Sequence, residues 1–351
     1  RPRSVAGIGA SPTPGKVGQA VLKNLADAHF PGAIYPVNPR HQEIDGLACA
    51  PSIGSLPKVP DLAVVCTPAA TVPGVLDECG AVGVPGIVIL SAGFRELGPA
   101  GVQLEQQIQA KVAQHPGMRI VGPNCLGVIV PANGLNASFA RGTPPAGRIA
   151  FLSQSGALCT AVLDWALQEQ IGFSHFVSVG NTLDVNIGDL IDYLSQDELT
   201  DAIILYVESI GEAREFMSAA RAFARGKPIV AYKAGRFAES AKAASSHTGA
   251  MAGVDAVYEA AFERAGIVRA FDVEDMFDCA ELLARTKLPA GSRLAIVTNA
   301  GGPGVMATDT LMQLRGTLAA LTPQSLEKLD AALPPSWSHG NPIDALGDAT
   351  P

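Results

Sequence analysis

Aromatic side chains are scarce in this sequence, at 5% of its residues, so stacking platforms for nucleic-acid bases are not expected. Basic residues are outnumbered, 25 Lys and Arg against 33 Asp and Glu, for a formal charge of −8. That balance disfavours broad nucleic-acid binding and leaves room only for a local basic pocket. No apolar run is long enough to cross a bilayer: the stretch from Leu62 to Leu76 is broken by Pro68 and Pro73. The opening RPRSVAGIGA is too short an apolar segment for a signal peptide, and it lacks Met, so the native start is expected to lie upstream. The six cysteines (49, 66, 79, 125, 159, 279) form no C-x-x-C pair and do not cluster with histidine. Neither a zinc site nor a disulfide scaffold is expected, and buried thiols in a cytoplasmic protein are.

What is abundant is glycine and proline, 37 and 26 residues, against a background that is 48% hydrophobic. This composition suits a large core crossed by many tight strand–loop–helix turns. At about 150 residues per domain, 351 residues imply two or three domains. Short apolar strands alternate with helices: SVAGIGA (4–10), AIYPVN (33–38), LAVVCT (62–67), GIVIL (86–90) and RIVG (119–122), with helices near 19–28, 70–81 and 99–114. Such alternation predicts a parallel sheet covered on both faces, a Rossmann-like domain over 1–143. GTPPAGR (142–148) reads as a linker. A second block, 147–289, repeats the logic with RIAFL (148–152), SHFVSVG (174–180), AIILYVES (202–209) and PIVAYKAG (228–235), as in a flavodoxin-like fold. A third, 291–351, opens with RLAIVTN (293–299) and holds too few strands for a finished α/β domain, so truncation is expected.

Several turns carry chemistry. The first strand is followed by a loop with Gly9, Ser11, Gly15, Lys16 and Gly18. It is not the compact dinucleotide fingerprint, yet a glycine-rich strand-to-helix turn presents backbone N–H groups to phosphate. The second strand ends in Val37-Asn38-Pro39-Arg40 with no carboxylate for ribose hydroxyls. Arg40 reads either as a partner for a ribose phosphate, favouring coenzyme A or NADP over NAD, or as a solvated loop charge. In GPNCLG (122–127), Asn124 and Cys125 fall at the carboxyl edge of the sheet, where crevices form. Nothing near Cys125 in sequence lowers its pKa, so a packed cysteine is expected.

SQSG (153–156), with Ser153, Ser155 and Gly156, and NAGGPG (299–304), with Gly301, Gly302 and Gly304, are small-residue turns before helices. Each suits an anion or is a plain strand–helix connection. His247 lies in ESAKAASSHTGAMAG (239–253), a small, polar segment with no apolar face. A neutral imidazole there can carry a phosphoryl group between sites, or be a surface histidine. Glu208, at the end of its strand, can accept the other ring N–H or serve as a helix N-terminal charge.

Six segments in order resemble the NDP-forming acyl-CoA synthetases, the superfamily of the succinyl-CoA synthetase α subunit: RSVAGIGAS (3–11), YPVNP (35–39), VGPNCLGVI (121–129), FLSQSGAL (151–158), SSHTGA (245–250) and TNAGGPGV (298–305). The resemblance spans the chain. It implies a coenzyme A-binding domain followed by flavodoxin-like ligase domains, with the loop around Ser11 to Gly18 on the coenzyme A phosphates and Asn38 and Arg40 near its nucleotide portion. It further implies the thiol end near Asn124 and Cys125, phosphate at the SQSG and NAGGPG turns, phosphorylation of His247, and Glu208 orienting it.

The implied enzyme is an acid–thiol ligase of the acetate–CoA type: acyl-CoA, phosphate and ADP give a small carboxylic acid, coenzyme A and ATP. ADP or ATP with Mg²⁺ would sit on an ATP-grasp domain or subunit outside this chain, and a homo-oligomer is expected. Segments 134–140, 163–181 and 202–236 are also similar to bacterial proteins that fuse this module to ATP-grasp and GNAT acetyltransferase domains, which implies, as the alternative, an acyl-CoA-sensing regulatory module.

Overall fold

A computed structural model describes residues 1–237, 239–240, 254–286 and 291–347; His247 lies outside them. The chain divides into Arg1–Thr286 and Lys287–Pro351.

The first unit opens with β1 (Ser4–Ile8), α1 (Val17–Asp27), β2 (Ala33–Val37), the small hairpin β3 (Glu43–Ile44) and β4 (Leu47–Ala48), β5 (Leu62–Val65), α2 (Val72–Val82), β6 (Gly86–Ile89), α3 (Pro99–Gln114) and β7 (Arg119–Val121). Five of these strands form a parallel sheet in the order β2-β1-β5-β6-β7. Val5, Ala6, Ala63, Val64 and Val65 are all fully buried, as continuous apolar strands between two helix layers must be. Because the chain crosses from β2 to β5 around β1, the sheet has a topological switch point, and all five carboxyl ends lie on one edge. Proline in the first turn starts α2 and α3 without losing a helical hydrogen bond.

The chain continues through β8 (Gly127–Val130), β9 (Leu135–Ser138), β10 (Ala146–Ser153), α4 (Gly156–Gln168), β11 (Phe173–Ser178), α5 (Ile187–Ser195), β12 (Ala202–Val207), α6 (Ala213–Ala224), β13 (Ile229–Lys233), α7 (Asp255–Ala265), β14 (Val268–Ala270) and α8 (Val273–Arg285). These strands build a seven-stranded sheet ordered β14-β13-β12-β10-β11-β8-β9. One difference from the sequence reading stands out. Residues 127–138, assigned there to the first block, form an antiparallel ribbon that pairs with β11, Ile129 opposite Phe176 and Val128 opposite Val177. The ribbon also holds α1: buried Asn24 donates from Nδ2 to the carbonyls of Ser138 and Ala140, both at 2.8 Å. Val121 and Val128 pack against the cores of both sheets. The two α/β layers are thereby stitched into one body.

The second unit has β15 (Arg293–Leu294), β16 (Val297–Thr298), α9 (Gly301–Gln313), β17 (Thr317–Leu318), α10 (Pro323–Ala332) and β18 (Ile343–Asp344). Its strands pair in parallel as β15 with β17 and β16 with β18, so the expected strand 293–299 is two short ones. Trp337 is its buried anchor, its indole N–H donating to Asp330 at 2.9 Å.

Candidate functional site

At the carboxyl edge of the first sheet, the loop after β1 brings α1 against the strand end. A Cβ on Gly18 would lie 2.1 Å from the Gly9 carbonyl oxygen, and one on Gly9, whose φ is +86°, 2.9 Å from Thr67 Cγ2. Only glycine permits this approach. Lys16 occupies the N-cap of α1 without a side-chain cap, and no acidic residue sits in the first turn. No side chain satisfies the first-turn amides there, at the positive end of the helix dipole. Ser11 Oγ accepts from the Thr13 N–H at 3.1 Å, which shapes the loop. Gly15, with φ +82°, stands clear of other atoms. Asn38 ties the adjacent strand ends together: Nδ2 donates to the Ala10 carbonyl at 2.7 Å and Oδ1 accepts from the Arg40 N–H at 2.9 Å. Arg40 is exposed beside it.

A separate cleft of about 840 Å³ opens where the carboxyl edges of the two sheets meet. It gathers Asn124 and Cys125 from the first sheet with Ser155, Gly156 and Glu208 from the second. The strand ends that deliver them are those of β7, β10 and β12. Ser153 is buried behind the wall, where its hydroxyl accepts from the Ser155 N–H and donates to the Ser155 carbonyl, both at 3.0 Å. Ser155 is the N-cap of α4, its Oγ accepting from Leu158 N–H at 3.2 Å. One orphan amide is satisfied this way, and the first-turn amides before it remain for a ligand. The loop residues Gly9 to Gly18, Asn38 and Arg40 do not line this cleft. Gly301, Gly302 and Gly304 belong to the other unit, at the start of α9, where Ala300 caps without a side-chain hydrogen bond.

Cys125 does not offer a nucleophile. It is 3% exposed, Sγ donates to the Ile89 carbonyl at 3.3 Å, and burial pushes its thiol far above the ordinary range. Iodoacetamide at pH 8 should accordingly leave Cys125 unmodified in the native protein and label it after denaturation, as read by peptide mass spectrometry. Labelling of native Cys125 at the rate of an exposed thiol would mean that this wall of the cleft opens.

Two features escaped the sequence reading. Gln154, within SQSG, clamps the end of β12: Oε1 accepts from the N–H groups of Glu208 and Ser209 at 2.6 and 3.0 Å, and Nε2 donates to the Ser209 carbonyl at 2.9 Å. It fixes where Glu208 leaves the sheet.

The second is a polar network across the cleft. Arg95 Nε donates to both oxygens of Glu105 at 2.8 Å, and its Nη2 to the Asn181 carbonyl at 2.8 Å. Asn181 Nδ2 donates to Glu105 and Glu96 at 2.7 and 3.1 Å. Glu96 also accepts from the N–H groups of Gly93 and Phe94 at 2.7 and 3.0 Å. Burial opposes its ionisation, but these backbone donors and Asn181 outweigh it and hold its carboxyl below the ordinary value. The only signal in sequence was the position of residues 90–97 and 180–182 after strands.

Among the described residues no group of three or more His, Cys, Asp or Glu is arranged to hold a metal ion, and no helix is long and apolar enough to cross a membrane.

Comparison with known proteins shows the family and the fold of both domains. A CoA-binding-domain family matches residues 3–131, and a succinyl-CoA-ligase-like flavodoxin-domain family matches residues 146–283. The chain is 46% identical over 349 residues to acetate–CoA ligase [ADP-forming] I of Archaeoglobus fulgidus, covering 99% of this chain and 50% of that protein. It is 43% identical to acetate–CoA ligase [ADP-forming] I subunit alpha of Pyrococcus furiosus, covering 99% of this chain and 76% of the subunit. Among solved structures, the dinucleotide-forming acetyl-coenzyme A synthetase 1 of Ca. Korarchaeum cryptofilum, in complex with phosphate and ADP, superposes with a TM-score of 0.94. That match has 40% identity and covers 99% of this chain and 75% of the other. The chain thus spans about half the length of some curated relatives and three quarters of others.

Proposed function

The chain belongs to the family of ADP-forming acetate–CoA ligases, and from that premise we propose that it is the coenzyme A-binding and phosphohistidine portion of such an enzyme. The observation that carries this reading is the cleft, which unites Asn124 and Cys125 of one sheet with Glu208 and the α4 N-terminus of the other. A thioester held by the first domain meets an anion site of the second there.

In this reading the pyrophosphate of coenzyme A sits on the uncapped start of α1, next to Gly9 and Gly18, with Arg40 and Lys16 as neighbouring cations. The two glycines let the start of α1 pack directly against the end of β1, which brings its uncapped amides to the sheet's carboxyl edge. The pantetheine arm then runs along the carboxyl edge towards Asn124. Inorganic phosphate, held by the free first-turn amides of α4, attacks the acyl carbonyl carbon. The C–S bond breaks and the sulfur leaves with the electron pair. The acyl phosphate passes its phosphoryl group to His247, releasing the carboxylic acid, while Glu208 accepts the other ring N–H and fixes the tautomer. Phosphohistidine then transfers to ADP, which with Mg²⁺ is assigned to an ATP-grasp domain or subunit; helix termini stabilise the transferring charge. The NAGGPG turn of α9 is the second anion-facing helix start. The relatives described above support this reading over the acyl-CoA sensor of an acetyltransferase.

The test uses labelled inorganic phosphate and acetyl-CoA. Wild type should acquire acid-labile, base-stable label, and His247→Ala should acquire none. Absence of label in both proteins, with coenzyme A still bound by calorimetry, would overturn the phosphohistidine reading.

A further inference from the structure

We propose that Asn124 donates a side-chain hydrogen bond to the acyl carbonyl oxygen of the bound thioester, and that Asn181 is the positioning residue that fixes the polarity of the Asn124 amide. The inference rests on the function proposed above and assigns the group that receives the developing charge in its first step.

An asparagine amide has a donor end and an acceptor end, and its neighbours decide which faces where. Here the decision is forced by carboxylates. Glu96 and Glu105 are acceptors, so the end of Asn181 that faces them at 3.1 and 2.7 Å is the NH₂ group. Its carbonyl oxygen must then face Asn124, at 3.2 Å, and the Asn124 end in contact with it must be NH₂. The order Glu–Asn181–Asn124 thus runs in one direction, from anion to donor. One of the two Asn124 amide hydrogens is used, and among the described residues its side chain makes no other hydrogen bond. The remaining N–H belongs to a residue lining the cleft.

The backbone holds this side chain in place from both sides. Asn124 has φ +56°, a left-handed conformation that asparagine tolerates and most residues do not. Its N–H donates to the Ser91 carbonyl at 2.9 Å. Its neighbour Cys125 lines the cleft but turns its thiol into the wall, towards Ile89, and so offers no thiol donor there. As phosphate adds to the thioester carbonyl, negative charge grows on the carbonyl oxygen until the C–S bond breaks and the sulfur takes the electron pair. A fixed N–H aimed at that oxygen stabilises the charged state more than the ground state.

The decisive variants are Asn124→Asp, which tolerates the same φ and lacks the donor, and Asn124→Gly as a second folding-compatible change. Phosphate-dependent thiol release from acetyl-CoA should fall by roughly 100-fold in kcat for each. Asn181→Ala should lose about 10-fold, because the Asn124 amide then loses the acceptor that orients it. Calorimetric affinity for coenzyme A should stay within about 2-fold throughout, since a uniform binding role would move affinity instead. Infrared spectroscopy of bound acetyl-CoA labelled at the carbonyl carbon supplies a readout that needs no turnover. The C=O band should lie at lower frequency in wild type than in Asn124→Asp and Asn124→Gly.

An unshifted band in both variants, or a kcat loss explained by weaker coenzyme A binding, would overturn the inference. A band that depends on Asn124 in a protein that releases no thiol would support this hydrogen bond and overturn the proposed reaction instead.

Discussion

Gly180→Ala should cost the fold at least about 3 kcal/mol and abolish activity at the cleft, an effect out of proportion to one methyl group. Gly180 follows β11 with φ +56°. A Cβ there would lie 2.1 Å from the Pro123 carbonyl oxygen and 2.6 Å from that of Asn124. Both obstacles are backbone, so no rotamer change relieves them. Either the turn after β11 or the 122–125 segment must move, and the second of these carries Asn124 and Cys125. A left-handed alanine by itself costs only about 1–2 kcal/mol. Gly15→Ala isolates that part, because φ is +82° and nothing lies within 4 Å of the added Cβ. Denaturant unfolding of both variants separates strain from collision. If Gly180→Ala is no less stable than Gly15→Ala, the close approach between the two sheets' edges is more compliant than the geometry implies.

The alternation of strands and helices was legible because strands buried on both faces must be continuously apolar, as LAVV and GIVI are. The meeting of SQSG, GPNCLG and Glu208 was half legible. Placing each at a strand's carboxyl end follows from sequence; bringing two sheets' ends to one cleft does not. That depends on the β8–β9 ribbon, whose short apolar run continues the first block in sequence but pairs with a strand about 50 residues later. Of the polar network, only the position of two of its loops after strands was legible. Glu105 sits on α3 among Gln and Lys, where a charged residue reads as solvent-facing, yet it is 6% exposed. Its partners come from the loop after β6 and the turn after β11, and no local pattern encodes that meeting. Asn38 shows the converse. The resemblance implied a place near the nucleotide; the structure adds that its amide bonds the Ala10 carbonyl and the Arg40 N–H, which no pattern in the sequence announced.

Arg95→Met should destabilise the first unit by about 2–3 kcal/mol, far more than loss of a surface ion pair. The Glu105 side chain is 8% exposed and that of Arg95 26%, so the pair lies largely out of water. Removing one partner of a buried pair costs about 3–5 kcal/mol, because the other charge is left uncompensated. The loss here falls at or just below that range, since Glu105 keeps donors: Asn181 Nδ2 at 2.7 Å and the residue-95 backbone N–H at 3.4 Å. Lys23→Met provides the contrast. Lys23 and Asp27 pair one helical turn apart with both side chains more than half exposed, and such pairs contribute about 0.3–0.5 kcal/mol.

Replacing both partners, Arg95→Met with Glu105→Leu, should recover stability relative to Arg95→Met alone, since no charge is then stranded. It should not recover the cleft, because Asn181 loses its carbonyl partner and one of its two carboxylates together. Denaturant unfolding and acetyl-CoA-dependent thiol release, measured on the same three proteins, give these two readouts independently. Recovery of both by the double variant would reduce the network to a buried ion pair. Recovery of stability alone would mean that the carboxylates serve the cleft by orienting Asn181 and, through it, Asn124.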